Sequence, residues 1–100
     1  MLKAVVLYGH PENPEAFEKY YSETHTPIAL KIPHLDHIEL TIFSPEADGS
    51  KPAFYRMAEL YFADPASMGA AFSSAEGQAA VNDLQNFATG GVTFLNGITT

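Results

Sequence analysis

The chain has no cysteine among its 100 residues. That excludes a disulfide framework and any thiolate metal site. Basic residues are also scarce: five Lys and Arg stand against twelve Asp and Glu, a formal charge of −7. The five (Lys3, Lys19, Lys31, Lys51 and Arg56) are scattered, whereas sequence-independent nucleic-acid binding needs them clustered. Long apolar runs are missing too. None approaches the roughly 18–20 residues that span a bilayer. The stretch Ala4 to Tyr8 is shorter than a signal-peptide core of roughly 7–15 residues. The expectation is no nucleic-acid partner, no membrane, and a cytoplasmic location by default. Hydrophobic residues make up 46% and charged residues 17%, evenly spread, which is not a disordered composition. One domain over residues 1–100 is expected.

Leu2 to Tyr8 is a short β-branched run closed by Gly9-His10-Pro11, and it reads as a strand. Asn13-Pro14-Glu15 is a helix start, with a capping Asn, Pro at the first helical position and an acid in the first turn. Phe17, Tyr20, Tyr21 and Thr24 fall at i, i+3, i+4 and i+7, one buried stripe. Pro27 predicts a helix end at His25-Thr26. Ile28 to Pro33 reads as a connector or short irregular helix. Leu35 to Phe43 alternates as a strand. Ser44 to Pro52, with Asp48-Gly49 and two prolines, is a loop. Phe54 to Phe62 alternates again, with Arg56, Ala58, Leu60 and Phe62 on one face and Tyr55, Met57, Glu59 and Tyr61 on the other. Asp64-Pro65 repeats the cap-plus-proline start. Ser73-Ser74-Ala75-Glu76 fits a capping box for a second segment. Thr89-Gly90-Gly91 stops it, and Val92 to Ile98 is a last strand.

The order β-α-β-β-α-β predicts an α+β fold: a four-stranded antiparallel sheet with the helices on one face, the ferredoxin-like arrangement. The uncovered face would carry Tyr55, Met57, Tyr61 and Phe43. Burying four such side chains is worth on the order of 6–12 kcal/mol, at about 1.5–3 each. A second copy packed sheet to sheet supplies that burial. The same face bears His37, Glu39 and Glu59, and buried carboxylates need partners or water. A homodimer enclosing a partly polar ligand cavity between its sheets meets both demands.

Candidate chemistry rests on few residues. His10 follows the first strand, in a loop that suits either function or plain solvation. His25 ends the first helix, where the helix dipole alone favours imidazolium. It is equally placed to act as a general acid or base. His37 and Glu39 with Glu59 could ligate a metal, but no HxxxH or HExxH spacing occurs, and no metal is expected. Tyr8 and Tyr20 are core positions by spacing, yet a phenol can orient a polar ligand. No phosphate loop, Walker motif or GxSxG is present, and no cofactor is expected.

The segments VVLYGHPENPEAFEKYYSETHTPIALKIP, FYRMAELYF and EGQAAVNDLQNFATGGV closely resemble the EthD family, from Leu2 to about Leu95. The resemblance is carried by Tyr-Gly-x-Pro after the first strand, Tyr-Tyr…Thr-His-x-Pro at the first helix end, and Ala-Glu-Leu-Tyr-Phe in the third strand. It implies membership of the dimeric α+β barrel superfamily. That group includes cofactor-free monooxygenases, muconolactone isomerases, haem-degrading enzymes and proteins of unclear role. It also favours His25, which lies in the signature, and His10 less. The combined expectation is a homodimer binding a small hydrophobic or aromatic metabolite between its sheets, with His25 as acid or base. Tyr8, His10, Tyr20 and Glu59 would line the site. Proton abstraction next to a carbonyl, followed by loss of water or isomerisation, fits such a site; a monooxygenase-like reaction is the superfamily's other precedent. The alternative is a non-catalytic carrier serving a partner oxygenase.

Overall fold

A computed structural model describes residues Met1–Thr100. The chain runs through β1 (Leu2–Tyr8), α1 (Pro14–Tyr20), a π-helical turn (Tyr21–His25) and α2 (Thr26–Ala29). It continues with β2 (His37–Ile42), β3 (Arg56–Phe62), α3 (Pro65–Ser73) and α4 (Ala75–Asp83). A 3₁₀ turn (Leu84–Asn86) and β4 (Val92–Ile98) complete it. The sheet order is β2-β3-β1-β4, and every neighbouring pair is antiparallel. β1 and β2 are therefore parallel with β3 between them, which is the ferredoxin-like arrangement expected from the element order.

The register sorts the two faces. Tyr8, Val6 and Ala4 of β1 lie opposite Arg56, Ala58 and Leu60 of β3, and these join Phe17, Tyr21, Leu84 and Phe87 of the helical layer in one core. Lys3, Val5 and Leu7 lie opposite Tyr61, Glu59 and Met57 on the uncovered face. Helix starts follow their sequence signals. Asn13 accepts a hydrogen bond from the Ala16 N–H at 3.2 Å, and Asp64 accepts one from the Ser67 N–H at 2.8 Å. Asn13→Ala is expected to cost about 1 kcal/mol, read as a Tm fall of about 4–8 °C by scanning calorimetry. Ser74 caps α4 through the Gly77 N–H at 3.0 Å. Glu76 thus stands one residue too early to close the capping box. At Gly77 the helices α3 and α4 nearly touch: an added Cβ would lie 2.1 Å from the Ala71 carbonyl oxygen.

Two expectations are corrected. The first helix does not end at His25-Thr26. The Thr26 N–H donates to the Tyr21 carbonyl, five residues back. This wider turn lets the chain pass Pro27, which has no N–H to give and would crowd an α-helical carbonyl. Tyr55 is not on the uncovered face. It precedes β3, so the strand alternation does not reach it. Its ring packs on Phe17, and its hydroxyl donates to Glu18 at 2.9 Å. The chain also has a cavity of its own on the helix side, distinct from the space expected between the sheets of two copies. Alanines face one another there: Ala4 and Ala58 on the sheet, Ala29 and Ala80 on the helices. Small side chains on both layers leave a volume between them.

Candidate functional site

The cavity measures about 340 Å³, and 17 of its 20 lining residues are hydrophobic. No Lys, Arg, Asp or Glu lines it. The sheet supplies the floor, α2 and α4 supply the walls, and half-exposed Phe94 on β4 marks the mouth. Polar character concentrates where the π-helical turn meets the end of β1. Tyr21 and His25 are the first and last residues of that turn, and both face the cavity.

His25 is buried, with a side chain 8% exposed. Its Nδ1 lies 2.9 Å from Oδ2 of Asp83 on α4. An ionised carboxylate only accepts, so Nδ1 carries the proton. In the neutral imidazole Nε2 then holds the lone pair, and no side-chain nitrogen or oxygen is sealed away without a partner. Asp83 is itself buried. Burial pushes its carboxyl up, but hydrogen bonds from Tyr20, Asn86 and His25 outweigh that and hold it below the usual carboxylate range. The Tyr20 hydroxyl donates to Oδ1 at 2.6 Å, and the Asn86 Nδ2 at 3.0 Å. The imidazole is thus oriented by an acid that is itself held by two donors.

Tyr8 stands beside Tyr21, their rings perpendicular with centroids 5.6 Å apart. Burial pushes the phenols of both above their ordinary value. Arg56 stacks on the Tyr21 ring, 4.4 Å from its centroid, and its guanidinium pairs with Glu18 in a bidentate contact.

Of the residues singled out in the sequence, His25 and Tyr8 come together at the cavity. Tyr20 does not line it: its hydroxyl is taken by Asp83, behind His25. His10 is outside as well. Its Nε2 donates to the Pro52 carbonyl at 2.8 Å, and its ring rests near Tyr55. Glu59 lies on the open face, 2.7 Å from Nζ of Lys3. His37 also lies there, stacked on Tyr61 and bonded to Asp36 at 2.6 Å. No group of three or more His, Asp or Glu side chains is placed to hold a metal ion. Sequence reasoning missed Asp83 and the role of Tyr21. Asp83 had a signal: Ala80, Asp83, Leu84 and Phe87 fall at i, i+3, i+4 and i+7, which puts an acid on a buried helix face.

The EthD domain profile matches residues 10–91. An uncharacterised 11.0 kDa protein from the thcB–thcC intergenic region of Rhodococcus erythropolis is 41% identical over 95 residues, covering 95% of this chain and 91% of that protein. The chain belongs to the EthD family. An EthD family crystal structure from Bacillus halodurans superposes with a TM-score of 0.93 at 34% identity, over 100% of this chain and 99% of that one. A dimeric protein of unknown function with a ferredoxin-like fold, from Bacteroides fragilis, superposes with a TM-score of 0.67 at 13% identity, over 98% and 95% of the two chains. The fold read from the EthD chain's element order is thus shared by both. No helix of the chain is long and apolar enough to cross a membrane.

Proposed function

We propose that this EthD protein binds a small, largely hydrophobic metabolite in its helix-side cavity and transforms it by acid–base chemistry at His25, as a homodimer. The observation that carries the reading is the buried His25–Asp83 pair, with Nε2 left uncommitted at the wall of a largely apolar cavity. An imidazole oriented through Nδ1 can take a proton at Nε2 and return it elsewhere. Proton abstraction next to a carbonyl, followed by isomerisation or loss of water, is the reaction class that uses this arrangement with no further group. The homodimer rests on the open face. Val5, Leu7, Met57 and Tyr61 lie there beside exposed Leu95, and a second sheet would cover them.

Native mass spectrometry of the purified protein tests both statements. A dimer carrying a small organic molecule is expected, and that molecule is then offered to the protein as substrate. Conversion supports the enzyme. Retention without conversion favours the carrier reading, in which the chain hands a ligand to a partner oxygenase. A monomer would overturn the sheet-to-sheet assembly.

A further inference from the structure

Three deeply buried polar side chains, Tyr8, Tyr21 and His25, line the cavity. Tyr8 is 1% exposed, Tyr21 3% and His25 6%. The Tyr8 hydroxyl lies beside that of Tyr21, and the Tyr21 hydroxyl beside Arg56. None of these approaches closes a hydrogen bond of ordinary length, and neither hydroxyl is sealed away from the cavity space. Nδ1 of His25 is committed to Asp83, which leaves Nε2. These atoms keep access to the cavity space, where a ligand can partner them. A hydroxyl oxygen entering the cavity could accept from the phenols and donate to Nε2, and a carbonyl oxygen could accept from the phenols alone. The remaining wall, from Ile38 and Leu60 to Phe94, is hydrocarbon apart from the uncharged side chains of Thr26 and Asn96.

We propose that the ligand is an uncharged, mainly hydrocarbon molecule that seats one oxygen, a carbonyl or an enolic or phenolic hydroxyl, on the Tyr8 and Tyr21 hydroxyls within reach of Nε2 of His25. This deepens the acid–base reading and rests on it. The absence of charge follows from the lining: a carboxylate or phosphate would lose its hydration and gain no cation in return. The nearest guanidinium, Arg56, is already paired with Glu18 and lies outside the wall. Tyr8 and Tyr21, with phenols pushed up by burial, remain neutral donors. With a β,γ-unsaturated ketone bound, Nε2 takes the proton from the carbon between the carbonyl and the double bond. The C–H electron pair becomes a carbon–carbon double bond, and the carbonyl pair moves onto oxygen. The two hydroxyls hold that enolate oxygen, and Arg56 on the Tyr21 ring strengthens the donor. Return of the proton to the far carbon of the original double bond gives the conjugated isomer, and no other reactant is consumed.

Three matched probes test the seat: naphthalene, 2-naphthol and 2-naphthoate, titrated by fluorescence against the intact protein. Wild type should bind 2-naphthol about ten-fold more tightly than naphthalene, the ratio one neutral hydrogen bond supplies, and should bind 2-naphthoate more weakly than 2-naphthol. Tyr8→Phe and Tyr21→Phe should each pull 2-naphthol toward naphthalene and leave naphthalene unchanged. Equal binding of naphthol and naphthalene by wild type overturns the oxygen seat. Naphthoate binding as tight as naphthol overturns the uncharged class. In both cases the cavity reading survives if Val81→Trp, a substitution at the half-exposed mouth, blocks all three probes. Binding that Val81→Trp leaves untouched overturns the cavity reading together with the seat.

Discussion

Asp83→Ala is expected to destabilise the protein by about 3 kcal/mol or more, at about 1–3 kcal/mol for each donor left without its acceptor. For a chain of this length that is a Tm fall of more than about 10 °C, measured by calorimetry at matched protein concentration. The cause is local. Asp83 accepts from His25, Tyr20 and Asn86, and alanine leaves all three donors without their acceptor. Asp83→Asn keeps a carbonyl oxygen for Tyr20 and should lose less. The pH dependence has a defined sign. The folded carboxyl titrates below its ordinary value, so its stabilisation is fully present above the usual carboxylate range. It is lost as pH falls through that range to the folded value. The stability gap between wild type and Asp83→Ala should therefore narrow in acid. Asp48 and Asp64, also held low by their turn and cap hydrogen bonds, are common to both proteins and cancel in the difference.

The strands were legible because β2 and β3 alternate with a period of two, β1 is a short β-branched run, and ends are marked by Gly9, Pro11 and Asp64. Helix starts were legible because Asn-Pro and Asp-Pro combine a cap with a proline. The first helix's end was not, since a proline normally stops a helix, and only a π-helical turn let this one continue. Tyr55 was misplaced because alternation says nothing about residues before the first ladder pair. Within the site, His25 and Tyr8 stood out by residue type and position. Asp83 was hidden by distance, 58 residues along the chain from His25, though its place on an apolar stripe betrayed it. The side of the sheet that holds the cavity depended on a coincidence no single segment reveals: alanines of β1, β3, α2 and α4 meeting across one space.

His25→Ala is expected to reduce turnover of a converted substrate by roughly 10²–10⁴-fold, the usual share of a positioned acid or base, with little change in KM. The apolar wall that supplies binding is untouched, so the loss falls on kcat. The fold should survive the substitution, because Asp83 retains Tyr20 and Asn86 as donors. Truncation also leaves a space of imidazole shape beside a carboxylate that still accepts. Added imidazole should occupy it, donate to Asp83, present its second nitrogen to the substrate and restore part of kcat. A residue that only shaped the cavity would show no such recovery. An unchanged rate in His25→Ala would remove acid–base catalysis from this cavity and leave it a binding site. A rate lost but not rescued, with KM raised in step, would make His25 a wall residue rather than the proton acceptor.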